Sequence, residues 1–350
     1  MGLGDQLAQR TIPGELYEVL DGHRIRCVAC GHRCPIPEGQ PGVCKVRFNR
    51  GGKLYVPSGY VSGVACDPIE KKPFFHVWPG ARAFSFGMLG CDLHCGYCQN
   101  WFTSQALRDA QSSLDFIEIT PKQLAGLAVG QRADCIVSTY NEPLITSEWA
   151  VAVFQEAKKA GLATGYVSNG NATPEVLRYL RGWLDLFKVD LKSFRDRRYR
   201  ELGGRLKPVL DSIQAIHEMG FWLEVVTLLV PGFNDSRDEL VELTRFLAGV
   251  SPDIPWHVTA FHGDYKMESS RATTAHDLIA AAQVGRESGL RFVYAGNLPG
   301  VAGGLEDTHC PGCGTVLVKR RGYRIHLNRM AGSEQCPECG TRIPGVWKKP

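Results

Sequence analysis

Cys91, Cys95 and Cys98 form a C-x3-C-x2-C triad directly after the apolar run 83–89. Three thiolates on one tight loop can hold three irons of a [4Fe–4S] cluster. The fourth iron then has no protein ligand and stays open to a small molecule offering an amino and a carboxylate group. Two plainer readings stand beside this one. Zinc wants four ligands, and His94 inside the loop can supply the fourth. A disulfide is the other.

Two further cysteine sets have ligand spacing. Cys27-x2-Cys30-x3-Cys34-x9-Cys44 is threaded with Gly31, Pro35, Pro37, Gly39, Pro41 and Gly42, which require loop backbone. Four thiolates there suit one zinc or a second iron–sulfur cluster, and spacing does not choose between them. A zinc would stabilise a lobe with little core of its own; a cluster would relay electrons or bind substrate. Free or disulfide-bonded cysteines are the alternative. Cys310-x2-Cys313 and Cys336-x2-Cys339 each sit in a Cys-Pro-x-Cys-Gly knuckle. Paired knuckles place four thiolates tetrahedrally, which predicts a zinc ribbon.

Between these sets the polar residues recur after β-rich runs. They include Glu142 before Pro143, Ser168 and Asn169 before Gly170, and Lys188, Asp190 and Lys192. The last three share one strand face by the period of two. The bland alternatives are a turn or capping acid for Glu142, an ordinary Asn-Gly turn for Asn169, and a surface ion pair for Asp190 with its lysines. His257 and His262 face substrate or are buried, with even weight. Lys71 and Lys72 offer contacts to substrate or cofactor, though a solvated loop is the commoner explanation, and His76 reads as a structural imidazole. Arg195, Arg197, Arg198 and Arg200 read as a solvated face. Lys319, Arg320, Arg321 and Arg324 permit nucleic-acid contact, but a stabilising module is the simpler expectation.

Strands are expected at 82–89, 134–139, 162–168, 184–190, 221–230, 256–261 and 291–296, with helices between them. Ser147 is the expected cap of a helix to Ala160. Thr173-Pro174-Glu175 opens another, Lys207–Met219 is a third closed by Gly220, and 236–248 and 274–288 complete the set. Before them, Gly51-Gly52 reads as the turn of a strand pair over 47–56. Repeated βα units imply parallel strands with right-handed crossovers. Six units and a final strand are fewer than a closed barrel needs, so the prediction is an α/β, partial (β/α)6 TIM-like barrel. Chemistry then belongs at the C-terminal strand ends, where the polar residues lie. The expected domains are a Cys-rich metal-binding lobe (1–80), the barrel (81–300) and a zinc-ribbon module (301–350), with 303–307 as linker.

The triad, with Tyr97 before its third cysteine, resembles the radical S-adenosylmethionine superfamily. The wider pattern resembles the AmmeMemoRadiSam-system radical enzymes, relatives of pyruvate formate-lyase activating enzyme. It comprises the Cys-rich entry, Asp67–Pro73, Gln99-Asn100-Trp101, Thr139–Pro143, Phe261-His262, Asp264–Met267, the terminal knuckles and Pro344–Trp347. The resemblance implies a [4Fe–4S] cluster on Cys91, Cys95 and Cys98, and S-adenosylmethionine held by Glu142, Ser168, Asn169, Asp190 and Lys192. It implies reductive cleavage to a 5′-deoxyadenosyl radical that takes hydrogen from an unidentified substrate. An electron donor such as ferredoxin or flavodoxin, and MEMO-like and AMMECR-like proteins, are the implied partners. Departures limit the transfer of detail. Tyr-Asn-Glu-Pro replaces Gly-Gly-Glu-Pro, Val167 stands where activating enzymes carry a cation-associated Asp, and Glu224 stands near an expected basic residue. A glycyl-radical activase, a nucleic-acid-modifying enzyme and a metal-dependent scaffold are the competing functions.

With 350 residues, 44% of them hydrophobic, the chain can bury a full core; a net charge of +4 says little about partners. The start lacks a basic-then-apolar leader pattern, and no apolar run is long enough to span a bilayer. Thirteen cysteines, eleven of them in ligand-type sets, predict a reducing, cytoplasmic setting without a membrane partner.

Overall fold

The computed structural model of the protein describes residues 2–109 and 115–349. Its centre is an eight-stranded sheet whose strands lie side by side in chain order. They are β1 (Gly63–Pro68), β2 (Arg82–Gly87), β3 (Cys135–Ser138), β4 (Ala163–Ser168), β5 (Leu186–Asp190), β6 (Trp222–Leu229), β7 (Trp256–Ala260) and β8 (Val293–Gly296). From β2 to β8 every neighbouring pair is parallel. All seven expected strands are present, each slightly shorter than its apolar run. β1 is an addition: it pairs antiparallel with β2 over Gly63–Pro68, so the first eighty residues supply a strand to the central sheet. Its Cys66-Asp67-Pro68 end carries no clean alternation, which hid it.

Helices α1 (Pro121–Gly130), α2 (Ser147–Lys159), α3 (Pro174–Leu180), α4 (Leu206–Glu218), α5 (Arg237–Val250) and α6 (Ala275–Glu287) connect these strands. Their ends follow local chemistry. Thr120, Thr173, Ser236 and Thr274 each accept a hydrogen bond from a backbone N–H in the first turn. Gly220, at φ +75°, follows α4 where only a left-handed residue turns the chain without cost. Ser147 is not a cap: Thr146 precedes the helix, and the Ser147 hydroxyl donates to the Leu144 carbonyl instead.

Strand periodicity sorts the side chains onto two faces. Phe84, Phe86, Ile136, Phe187, Val225 and Val258 pack with the helices in the main core. The alternate residues Ala83, Cys135, Val137, Ala163 and Leu186 face the other way and pack against Phe74, Val77 and Trp78. At an apolar yield of about 25 cal/mol per Å2, burying both faces is the main term holding the sheet. The segment after β1 therefore lies across the second face, and the chain terminus closes over it. His76 Nδ1 lies 2.6 Å from the Pro344 carbonyl, and Val346 donates its N–H to the His76 carbonyl at 2.7 Å.

The N-terminal lobe contains two three-stranded antiparallel sheets. The expected strand pair appears at Phe48–Arg50 and Lys53–Pro57, turned by Gly51 and Gly52 at positive φ. At the other end, β9 (Val316–Arg321) and β10 (Arg324–Asn328) form a hairpin beside Thr308–His309. The stretch 303–307 is not a loose linker. Leu305 and Glu306 are buried, and Glu306 accepts the N–H groups of Gly300 and Gly322 at 2.8 and 2.7 Å. A charged residue in Gly-rich sequence reads as solvated, but here its carboxylate satisfies two loop amides.

A candidate cluster site at the strand ends

The loop after β2 carries Cys91, Cys95 and Cys98. Gly87 ends that strand where a Cβ would lie 2.6 Å from the Thr139 carbonyl, so glycine permits the approach of the loop after β3. The three cysteines line one cavity together with Glu142, Ser168, Asn169, Asp190 and Lys192. Thus five residues from the exits of β3, β4 and β5 line the same cavity as the triad.

Much of this constellation is held by groups that spacing alone did not reveal. Asp92, inside the cysteine loop, is fully buried. It accepts from Asn169 Nδ2 and Asn171 Nδ2, both at 2.7 Å, and His32 Nε2 lies 3.9 Å from it. These bonds tie the cluster loop to the exit of β4 and to the N-terminal lobe. Asn171 was legible only as the second member of an Asn-Gly-Asn stretch, and Asp92 only as an acid between two cysteines.

Glu142 is also spoken for. Its carboxylate accepts from the Ser168 hydroxyl and the Asn169 N–H at 2.7 Å, and from the Leu144 N–H at 3.0 Å. The bland reading as a turn-capping acid is therefore realised geometrically. Burial, with the charge of Asp92 adding, pushes its carboxyl up to about 8. Asp190 is flanked by Lys188, with which it is ion-paired, and by Lys192 Nζ at 3.6 Å. Burial opposes its charge, but the two ammonium groups prevail and hold its carboxyl below the ordinary range. Burial likewise pushes the Cys95 thiol up to about 11, against the pull of Lys192. The lysine thus places positive charge beside a thiol that must lose its proton to become a metal ligand.

The donor set suits a polynuclear group better than one ion. Among the described residues, only Cys310, Cys313, Cys336 and Cys339 bring three or more ligand atoms within 4.8 Å of one another. Cys91, Cys95 and Cys98 do not, and His94 does not complete them: its ring lies over Gly203, where a Cβ would be 2.1 Å away. None of the thirteen cysteines is joined to another in this structure. Cys27, Cys30 and Cys44 are buried, with Cys34 partly exposed. Arg47, anchored by two bonds to Glu148 at 2.7 and 2.8 Å, donates from Nε to Cys27 Sγ at 3.2 Å.

The remaining candidates divide by burial. His257 is buried with Nε2 2.7 Å from Glu224 Oε2, and Glu224 also accepts the N–H groups of Phe75 and His76 at 3.0 and 2.9 Å. His262 is exposed, with Nε2 2.8 Å from Gln99 Nε2, next to Cys98. Lys72 is buried and bonded to Asp67 and the Tyr140 hydroxyl, not solvated. Arg195, Arg197, Arg198 and Arg200 all have carboxylates within 4 Å, as a solvated charged face should.

Residues 87–247, which span the exits of β2 to β6, match the radical SAM superfamily. A relative from Methanocaldococcus jannaschii, the uncharacterized protein MJ0808, is 34% identical over 330 residues, 93% of this chain and 97% of its own. The chain belongs to the radical SAM superfamily and, within it, to the family of that archaeal protein. The pyruvate formate-lyase-activating enzyme of Staphylococcus aureus (strain USA300) is 25% identical over 194 residues, 53% of this chain and 76% of its own. A crystal structure of Streptococcus suis SuiB bound to S-adenosylmethionine aligns at 12% identity and a TM-score of 0.49, over 69% of this chain and 56% of that one. No helix among the described residues is long and apolar enough to cross a membrane.

Proposed function

We propose that this chain is an enzyme that binds a [4Fe–4S] cluster through Cys91, Cys95 and Cys98 and cleaves S-adenosylmethionine to abstract hydrogen from a further substrate. One observation carries this reading: three non-converging thiols line a single cavity with the polar residues of three successive strand exits. When bound, the cluster and S-adenosylmethionine supply one-electron cleavage of the S–C5′ bond and a 5′-deoxyadenosyl radical.

The protein's part is positional and electrostatic. Asp92 holds Asn169 and Asn171 against the cysteine loop, so the cavity wall and the cluster ligands move as one body. Glu142 presents a buried carboxyl, pushed up to about 8, that an incoming ammonium group would hold ionised. Asp190 and Lys192 offer one charge of each sign to an amino-acid moiety, and Ser168 and Asn169 supply polar edges. The sheet, open between β1 and β8, is taken as the partial barrel that leaves room for the substrate.

The other cysteine sets receive different groups. Cys310 lies 3.6 Å from Cys339, and Cys313 3.7 Å from Cys336. Tetrahedral zinc with Zn–S bonds of about 2.3 Å requires S···S edges of about 3.8 Å, so zinc is assigned there as the stabiliser of a ribbon. Cys27, Cys30, Cys34 and Cys44 lack that convergence, which favours a second iron–sulfur cluster over zinc. Three oxygen- and metal-sensitive sites suit a reducing cytoplasm, and ferredoxin or flavodoxin is the expected electron donor. MEMO-like and AMMECR-like proteins are the proposed partners.

The test is spectroscopic. Electron paramagnetic resonance of the reduced, reconstituted protein should change line shape on adding S-adenosylmethionine, because an iron gains ligands. The same titration on Cys95→Ala should be silent. An unchanged wild-type spectrum would count against an open iron at the triad.

A further inference from the structure

A cavity of about 820 Å3 opens between the inner face of the sheet and the β9–β10 hairpin. Gln99 and His262, bonded to each other beside Cys98, form its end nearest the cluster loop. His257 and Thr259 of β7 contribute wall, and Arg321, Tyr323, Arg324 and His326 contribute the hairpin side. Its volume lies in the range of sites for small organic molecules. The C-terminal module therefore builds part of a cavity whose far wall includes Gln99, the residue that follows Cys98 on the cluster loop.

The charge on that hairpin is unspent. Arg321 and Arg324 are exposed, pair with each other across the two strands, and have no carboxylate within 4 Å and no side-chain hydrogen bond among the described residues. The Arg195–Arg200 run, by contrast, is fully paired with carboxylates. Lys71 adds a third cation at the wall, although Asp67 shares it. Two like charges directly across a strand pair disfavour the fold slightly unless an anion lies between them. The two acids of the cavity do not neutralise them. Glu306 is engaged by the N–H groups of Gly300 and Gly322, and Glu70 lies against the buried Arg320.

Glu70 supplies the second observation. It is 1% exposed at the cavity wall, yet its Oε2 has no hydrogen-bond partner among the described residues. A buried carboxylate oxygen without a donor is costly, and a ligand N–H or O–H would satisfy it. Between the two arginines, Tyr323 is 47% exposed and presents a ring. Paired cations with an exposed aromatic ring match a phosphate beside a planar group.

Resting on the radical reading above, we propose that this cavity is the substrate site and that it takes a nucleotide, free or within an RNA strand. The phosphate sits on Arg321 and Arg324, and the reacting end points toward Gln99 and His262. The hairpin thus selects the substrate, while the strand exits hold the cofactors.

The test uses the reconstituted full chain, oxidised and saturated with S-adenosylmethionine so that the cofactor site is filled. Uridine 5′-monophosphate, uridine and a uridylate dodecamer are titrated by calorimetry into wild type, Arg321→Gln, Arg324→Gln and the double variant. The expected result is that the phosphate-bearing probes bind and uridine does not. Each substitution should weaken the complex by about tenfold. The double variant should also flatten the salt dependence of dodecamer binding. A dodecamer much tighter than the monophosphate identifies RNA as the source; equal affinities identify the free nucleotide. Uridine binding as well as its phosphate, no binding of either phosphate probe, or wild-type affinity in the double variant overturns the proposal. The comparison of uridine with its monophosphate needs no variant and stands even if a substitution unfolds the hairpin. Cofactor cleavage is measured separately, so failure of the radical reading would be visible on its own.

Discussion

At the scale of single residues, buried ionisable groups decide both geometry and pH response. His76 lies between the Pro344 carbonyl and the Tyr294 hydroxyl, with Glu224, Arg320 and His257 around it. Burial outweighs the favourable pull of Glu224 and lowers its imidazole to about 4. The unfolded imidazole titrates near 6.5. Between those values acid protonates the unfolded chain but not the folded one, so stability falls with falling pH. It is whole above about pH 6.5 and loses up to about 3 kcal/mol by about pH 4. Urea unfolding at pH 7.5 and pH 5 should show about 2 kcal/mol of that loss in wild type, and a smaller one in His76→Gln. Equal pH dependence in the two would contradict the assignment.

The same scale explains what the sequence could and could not disclose about the site. The triad was legible because its three ligands are local, and spacing alone encodes a loop with three thiols. Asp92 was not: its partners Asn169 and Asn171 lie 77 and 79 residues away. Nothing in a linear pattern joins an acid to two distant amides. Glu142 was found, but its bonds to Ser168 and Asn169 depend on β3 and β4 being neighbours.

At the scale of elements, the site is a set of strand exits, and each exit has a local device that shapes it. The clearest is Gly170, at φ +72°, where a Cβ would lie 2.5 Å from Val189 Cγ1. Its N–H donates to the Ser168 hydroxyl and its carbonyl accepts from Ser212, so it fixes the loop that carries Ser168 and Asn169. Gly170→Ala should cost about 1–2 kcal/mol for the left-handed backbone alone, with the Val189 contact adding to it. The expected readout is a lower thermal midpoint together with weaker S-adenosylmethionine binding. An unchanged midpoint would show that the loop relaxes freely. Alternation and caps made the seven parallel strands and most helices readable. The antiparallel β1 escaped because its second half, Cys66-Asp67-Pro68, reads as a loop until β2 is placed beside it.

At the scale of the whole molecule, the terminal regions are joined to the sheet rather than hung from it. β1 extends the sheet, His76 and the 344–347 tail cover its inner face, and buried Arg320 of β9 donates to the Phe75 carbonyl at 2.7 Å. Ligand spacing disclosed the knuckles, but not that their hairpin returns to wall a cavity, since that depends on contacts across some 245 residues. Metal analysis tests the assignment of the three cysteine sets. The reconstituted chain should hold about eight irons and about one zinc. Cys336→Ser should lose the zinc, keep the iron, and loosen the hairpin to proteolysis. A wild type with about four irons and about two zincs would transfer the N-terminal set to zinc.

The central claim is that Cys91, Cys95 and Cys98 hold a cluster that cleaves S-adenosylmethionine. Its most direct test is anaerobic: reconstituted protein, S-adenosylmethionine and a strong reductant, with 5′-deoxyadenosine and methionine quantified for wild type and for Cys98→Ala. Wild type should form both products, and Cys98→Ala should fall to background. Product formation that survives in Cys98→Ala, or none from a fully loaded wild type even with nucleotide substrates and the proposed partner proteins present, would contradict it.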